Sequence, residues 1–255
     1  MRVDITKKSP VESSSKERTN PSIDRSIIKR LRPFVPEVIF CVFVLILLVA
    51  GTYSRNRIWN SELELWTDCV KKSPNKDRPH NNLGNLFVNQ GRYQEAINQF
   101  NEALRIDPNY AEAHNNLGIA FSKQGRSQDA INQFNEALGI NPNYAEAHYN
   151  LGITFSHQGK SQEATNQYKE ALRINPNYVE AHNNLGNLFV NQSKSQEAIP
   201  HLSEALRINP NLAEAHYNLG NAYLMIGNRG LALKEYEILK TINPGLANVL
   251  YQKIK

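Results

Sequence analysis

Cysteine, tryptophan and methionine each occur only twice in these 255 residues. Cys41 lies inside an apolar run and Cys69 well beyond it, so a disulfide framework and a cysteine-based metal cluster are both excluded. No phosphate-cradling glycine loop and no His-Glu-x-x-His occur, and no Ser, Cys or His grouping has catalytic spacing outside a repeated pattern. No catalytic role and no cofactor are therefore expected. A basic face is missing too, although the net charge is +5: residues 1–36 carry 9 Lys/Arg against 4 Asp/Glu, leaving 20 of each sign for the rest. A neutral remainder argues against nucleic acid as a partner.

Long apolar runs are also scarce. The one present, Val38 to Tyr53, is 16 residues without a charge. With its flanks, residues 34–54 are long enough to cross a hydrocarbon core of roughly 30 Å as one transmembrane helix. A buried core helix is the alternative, and the small residues Val49, Ala50 and Gly51 also allow signal-peptide cleavage. The preceding residues 1–33 are polar, rich in Ser and Lys, and read as a disordered basic tail. Lys16, Arg18, Arg25, Lys29, Arg30 and Arg32 precede the run, whereas Arg55, Arg57, Lys71 and Lys72 follow it. The bias places the N-terminus in the cytoplasm and the remainder in the periplasm, lumen or outside.

What is abundant is self-similarity. Pro74, Pro108, Pro142, Pro176, Pro210 and Pro244 stand 34 residues apart, and five units follow one another: 77–110, 111–144, 145–178, 179–212 and 213–246. A fixed period of this length is the signature of stacked helical hairpins. Counting each unit from the position of Ala111, positions 4, 7, 8 and 11 (His114, Leu117, Gly118, Phe121) share one helical face. Positions 20, 24 and 27 (Ala130, Phe134, Ala137) form the facing stripe of a second helix, with small residues making room for aromatic ones. Residues 55–76 read as a half-repeat, since Leu63, Trp66 and Val70 lie on one face and Pro74 keeps the beat; residues 247–255 read as a C-terminal capping helix.

Leu-Gly at 7 and 8, aromatics at 11 and 24, Ala at 20 and 27 and Pro at 32 resemble the tetratricopeptide repeat (TPR). The resemblance implies an all-α, right-handed TPR superhelix, an α-solenoid, behind the transmembrane helix. Departures are local: His80, His114, His148, His182 and His216 stand where the family usually has Trp, and Leu202, Ser193 and Leu239 replace an aromatic, a glycine and an alanine. Pro200 removes a donor near the start of a second helix, so the fourth unit is expected to be the least regular.

The histidines are one per unit, too far apart to share a metal, and read as hydrogen-bonded packing residues; His157 and His201 read as surface residues. Glu112, Glu146, Glu180 and Glu214 follow Asn by three residues, as in Asn109-Tyr110-Ala111-Glu112, which suggests a capping box more than an acidic stripe. The asparagines point elsewhere. Opposite the core stripe, position 6 is always Asn: Asn82, Asn116, Asn150, Asn184 and Asn218. Position 5 carries Asn81, Asn115, Tyr149, Asn183 and Tyr217; position 9 carries Asn85, Asn187 and Asn221; Asn89 and Asn191 stand at position 13. An amide donates and accepts, so a row of them matches the main chain of an extended peptide without reading its sequence, and Tyr adds flat contact area. Position 6 is equally open to bonding between units. The row is similar to the asparagine-lined superhelix in the TPR half of O-linked N-acetylglucosamine transferase.

The expected function is a membrane-anchored scaffold binding a partner protein or peptide in extended conformation. A different class stays open. Arg55-Asn56, Trp59, Leu65-Trp66 and Ser73-Pro74 resemble the junction in polytopic membrane mannosyltransferases that end in TPRs. That implies a C-terminal part or accessory partner of a membrane glycosyltransferase, with no catalytic residue in this chain. Asn191-Gln192-Ser193 matches the short sugar-attachment pattern.

Overall fold

A computed structural model describes residues 40, 42–48 and 61–255. The chain divides into two units, residues 1–57 and 58–255. In the first, residues 40 and 42–48 are helical, and the side chains of Phe40 and Val42 to Leu48 are exposed. The expected basic tail, most of the expected span 34–54 and its flanks lie outside the described residues. Among the described residues no helix is long and apolar enough to cross a membrane.

The second unit is all helix. After α1 (Glu62–Lys72) come five hairpins: α2 (Asp77–Asn89) with α3 (Tyr93–Ile106), α4 (Ala111–Lys123) with α5 (Ser127–Ile140), α6 (Ala145–His157) with α7 (Ser161–Ile174), α8 (Val179–Asn191) with α9 (Ser195–Ile208), and α10 (Ala213–Met225) with α11 (Arg229–Ile242); α12 (Pro244–Ile254) follows. Each hairpin turns on position 15. There the backbone is left-handed, with φ of 72° to 77° at Gly91, Gly125, Gly159 and Gly227, and 61° at Ser193. Glycine enters that region without a Cβ penalty, whereas Ser193 carries one. The next amide then closes the helix end, as when Arg126 N–H reaches Phe121 O at 2.9 Å.

Second helices end differently. In the turn before the next hairpin, the backbone N–H of Asn109 reaches Asp107 Oδ1 at 3.0 Å, and Asn143, Asn177 and Asn211 bond Asn141, Asn175 and Asn209 in the same way at 3.2 Å. This corrects the capping-box expectation. The N-caps of α4, α6, α8 and α10 are Tyr110, Tyr144, Tyr178 and Leu212, none with a side-chain cap bond. The glutamates at position 2 are exposed and free for other contacts.

The core follows the expected stripes. Ala96, Ala130, Ala164, Ala198 and Ala232 at position 20 are fully buried, as are Phe100 and Leu202, and nearly so Phe134 and Tyr168, at position 24. Helices touch at position 8: a Cβ on Gly118 would fall 2.6 Å from the Phe134 ring, and on Gly84 2.5 Å from Phe100. Nothing larger than hydrogen fits there, and each buried aromatic contributes roughly 1.5–3 kcal/mol by transfer. Pro200 does not shorten its helix; α9 has the same 14 residues as its counterparts. Its missing N–H would have served the carbonyl of exposed Gln196, which water can satisfy.

The fifth hairpin, not the fourth, departs most. Gly220 meets Leu250 of α12, whose Cδ2 would lie 2.5 Å from an added Cβ, instead of Tyr236 at its own position 24. At position 27 this unit has buried Leu239 where the others have alanine. The larger side chain fills the space between the helices, and Tyr236 instead stacks on Tyr251 with centroids 4.9 Å apart. The closing helix begins at Pro244, three residues before the expected 247.

Candidate functional site

Positions 5 and 6 of successive first helices form a ladder. Asn116 Nδ2 donates to Asn81 Oδ1 at 3.0 Å, Asn150 Nδ2 to Asn115 Oδ1 at 3.0 Å, Asn184 Nδ2 to Tyr149 Oη at 3.1 Å, and Asn218 Nδ2 to Asn183 Oδ1 at 3.2 Å. Each rung joins one hairpin to the next, which accounts for Asn at position 6 of the second to fifth units. Asn81 also donates to Glu112 Oε1 at 3.0 Å.

The ladder revises the assignment of position 5. Asn81 and Asn115 are 0% exposed and Asn183 5%, so these amides lie within the stack and not on a free surface. Tyr149 and Tyr217 at the same position are half-buried. So are Asn82, Asn85, Asn116, Asn150, Asn184 and Asn187, while Asn218 and Asn221 are nearly covered.

Two adjoining clefts open on this face in the C-terminal half. The first, about 250 Å³, is lined by Ile153, Ser156, His157, Tyr168, Asn184, Asn187, Leu188 and Asn191. The second, about 470 Å³, shares Asn187 and Asn191 and adds Val190, Tyr217, Asn218, Asn221, Leu224, Met225 and Lys253. Five of the expected residues, Asn184, Asn187, Tyr217, Asn218 and Asn221, therefore come together with Asn191, and Val190, Leu224 and Met225 from positions 12 and 13 add apolar surface. Ser156, Val190 and Leu224 at position 12 went unrecognised, although they follow position 9 by three residues and share its face. Lys253 carried no signal, because α12 lies outside the period.

Tyrosines set the electrostatics of this face. Burial, then the charges of Glu146 and Glu112, push the Tyr144 phenol far above its usual range, and burial with Glu146 does the same to Tyr178. Tyr178 packs on Tyr149 with centroids 4.8 Å apart. These phenols stay neutral donors across physiological pH. Tyr217 is the exception: the Lys253 hydrogen bond lowers its pKa.

The histidines lie between the two helices of each hairpin. His114 Nε2–H donates to Pro108 O at 3.1 Å, and its Nδ1 meets the Gln133 amide at 2.8 Å; His80 and His148 repeat both contacts. Nε2 thus holds the turn that precedes the hairpin, and Nδ1 ties the first helix to the second. In the fourth hairpin the amide is replaced by His201, whose Nδ1 lies 3.2 Å from His182 Nδ1. His201 is therefore half-buried and bonded, not the surface residue expected. In the fifth, the partner is Glu235, at 2.6 Å from His216 Nδ1.

Similarity to known proteins follows the repeats. A family described as TPR repeat matches residues 84–125, 120–159, 154–193 and 186–227. Among solved structures, YrrB, a TPR protein with an unusual peptide-binding site, is similar with a TM-score of 0.60 and 23% identity, covering 74% of this chain and 99% of its own. Pseudomonas aeruginosa pilF reaches a TM-score of 0.68 at 20% identity over 82% of this chain and 96% of its own. MamA reaches 0.57 at 25% identity over 64% and 90%. A comparison with curated protein sequences gives no match. Matched without a gap from 84 to 227, more than half of its 255 residues, the chain belongs to the tetratricopeptide-repeat family.

Proposed function

We propose that this chain is a membrane-anchored scaffold that recruits a partner by holding an extended peptide segment along the face lined by Asn184, Asn187, Asn191 and Asn221. The observation that carries the reading is the pair of adjoining clefts sharing Asn187 and Asn191. Amides there can pair with main-chain N–H and C=O at successive residues, while Val190, Leu224 and Met225 offer apolar contact to side chains. The peptide-binding site named for YrrB is consistent with such a use of the fold. Anchoring rests on the charge-free run within residues 34–54, and the Lys/Arg bias before it favours a cytoplasmic N-terminus with the repeats on the other side.

A photo-crosslinking residue at position 191, compared with one at exposed Asn132 on a second helix, tests the reading in native membrane vesicles. Adducts should form from position 191 only, be lost in the Asn187→Ala variant, and resist external protease in vesicles that keep the repeats inside. Equal adducts from both positions would sink the groove assignment, and digestion of the repeats in such vesicles would sink the topology.

A further inference from the structure

The second helix of the fifth hairpin has an apolar face where the other four are acidic. Position 19 is Glu95, Asp129, Glu163 and Glu197 in the first four units and position 26 is Glu102, Glu136, Glu170 and Glu204, whereas the fifth has Leu231 and Ile238. Five of those acids pair with a nearby arginine: Glu95 with Arg92, Asp129 with Arg126, Glu102 with Arg105, Glu170 with Arg173 and Glu204 with Arg207. In α11 the same positions can only be covered or left wet. Ile238 is 41% exposed, and Leu231 and Ile242 are half-buried. Among the described residues of the second unit, the exposed large apolar side chains are Ile140 and then Met225, Ile226, Leu233, Ile238 and Val249, so apolar exposure gathers at this hairpin.

Leu231, Glu235, Ile238 and Ile242 follow one another at steps of 4, 3 and 4 residues, about a quarter turn from the stripe that buries Ala232 and Leu239. Such steps are those by which two helices meet along a seam. Glu235 does not interrupt the stripe. Its carboxylate lies 2.6 Å from His216 Nδ1 and its side chain is 13% exposed, so it adds mainly aliphatic stem.

This face is complementary to itself. A second copy laid antiparallel on it sets Leu231 against Ile242 of the copy and Ile238 against the Glu235 stem, and each contact then occurs twice, as a two-fold contact requires. The same register brings Lys234 of each chain beside Glu237 of the other. Lys234 is in none of the ion pairs among the described residues, and Glu237, which engages Lys240 through Oε2 at 2.9 Å, has its other oxygen to offer.

We infer that α11 is a self-association surface: two copies of this chain pair through antiparallel α11 helices, with Ile238 and the Glu235 stem at the centre of the contact. The contact is one helix pair, at the small end of specific interfaces, so the dimer is weak and concentration-dependent. No residue of α11 lines either cleft, so both grooves stay open in the pair, and the inference does not depend on the groove reading.

The test coexpresses two differently tagged full-length copies with a photo-crosslinking residue at exposed Thr241 on α11 or, for comparison, at exposed Asn132 on α5. Irradiation of intact cells should give adducts carrying both tags from position 241 and none from position 132. Ile238→Glu, which installs the residue of the other four hairpins, should reduce those adducts about tenfold. Lys234→Glu and Glu237→Lys should each reduce them as well, and the double variant should recover them, because exchanging the charges on both copies keeps the pairs. A thermal melt of Ile238→Glu matching wild type shows that the hairpin is folded; where it melts early, the charge exchange decides. Absence of two-tag adducts from position 241, their survival in Ile238→Glu, or no recovery in the double variant would overturn the inference. Adducts from position 241 to a different protein in place of the second tag would overturn it too, by giving the face another occupant.

Discussion

In the first four hairpins the glycine at position 8 lies beneath the residue at position 24 of its own partner helix; in the fifth, Gly220 lies beneath Leu250, borrowed from the helix that follows. The same unit is thus closed from within four times and from outside once. The difference begins with one side chain. Alanine at position 27 lets two helices approach until Phe100, Phe134, Tyr168 or Leu202 fills the gap, whereas Leu239 fills it first and moves Tyr236 outward onto Tyr251. A solenoid stabilises each unit by its neighbours, and the fifth hairpin obtains from α12 the side chain that fills its gap. The same helix brings Lys253 onto Tyr217 and Asn221, which makes the fifth hairpin chemically unlike the four before it.

The largest expected effect separates these two modes of closure. Phe134→Ala should cost about 3–5 kcal/mol and Leu250→Ala about 2–5 kcal/mol, since both empty a fully covered site. Tyr236→Ala should cost clearly less than Phe134→Ala, because it removes a half-buried ring. Hydrogen exchange of α5, α10 and α11 reads each loss where it occurs. If Tyr236→Ala loosens α11 as strongly as Phe134→Ala loosens α5, the fifth hairpin is closed like the others and the contrast fails.

The regular mode was legible in the sequence and the borrowed one was not. Spacing of Gly118, Phe134 and Ala137 states a helix contact directly, because period and residue size both repeat. The Leu239 exchange was visible as a departure, but its consequence depends on α12, for which no second copy exists to align. The candidate site divides in the same way. Asparagines on one face were found by helical geometry alone, yet burial within that face depends on how far each helix is covered by the next. Hence Asn115 and Asn183 proved to be rungs, while Asn187 and Asn191, four and eight residues beyond Asn183, reach the open clefts. Expectations for Glu112 and His201 failed for a related reason: both residues bond across a helix pair or a unit boundary, partners that local spacing does not reveal.

A smaller effect distinguishes the fourth and fifth hairpins by pH. His216 donates from Nε2 to Pro210 O at 2.9 Å and from Nδ1 to the Glu235 carboxylate, which can only accept, so both ring nitrogens carry protons. Burial opposes the charge, but the Glu235 hydrogen bond, the Pro210 carbonyl and the Glu235 charge outweigh it, and the pKa stands above the usual 6.5. This stabilisation is complete below pH 6.5 and is lost as pH rises through the folded-state value. His201 has the opposite sign. Burial, then His182 and Lys169, lower its pKa below 6.5, so its contribution is complete above that pH and is lost on acidification. Because His182 Nε2–H is committed to Pro176 O, its Nδ1 accepts from His201 Nδ1–H at 3.2 Å. Lowering the pH from 7 to 5 should therefore speed amide exchange in α9 relative to α11. Glu235→Gln should cost about 1–3 kcal/mol at pH 6 and much less at high pH. Parallel pH responses in the two helices would refute the opposed pairings.

The smallest effect concerns the turn between α8 and α9. Four hairpins have glycine at position 15, with φ of 72° to 77°, and the fourth has Ser193 at 61°. A left-handed conformation costs an L-residue roughly 1–2 kcal/mol. Glycine removes that cost but returns part of it, roughly 0.5–1 kcal/mol, through greater freedom of the unfolded chain. The balance favours Ser193→Gly by up to about 1 kcal/mol. Gly227→Ala in the fifth hairpin imposes the strain without new contacts, since an added Cβ there has nothing within 4 Å, and should destabilise by about 1 kcal/mol. Comparing the two variants by the melting temperature of the full chain and by exchange at the two turns separates backbone strain from packing. If Ser193→Gly destabilises the protein instead, the serine side chain supplies more to the turn than its backbone costs, and the fourth hairpin's departure from glycine is a stabilising feature.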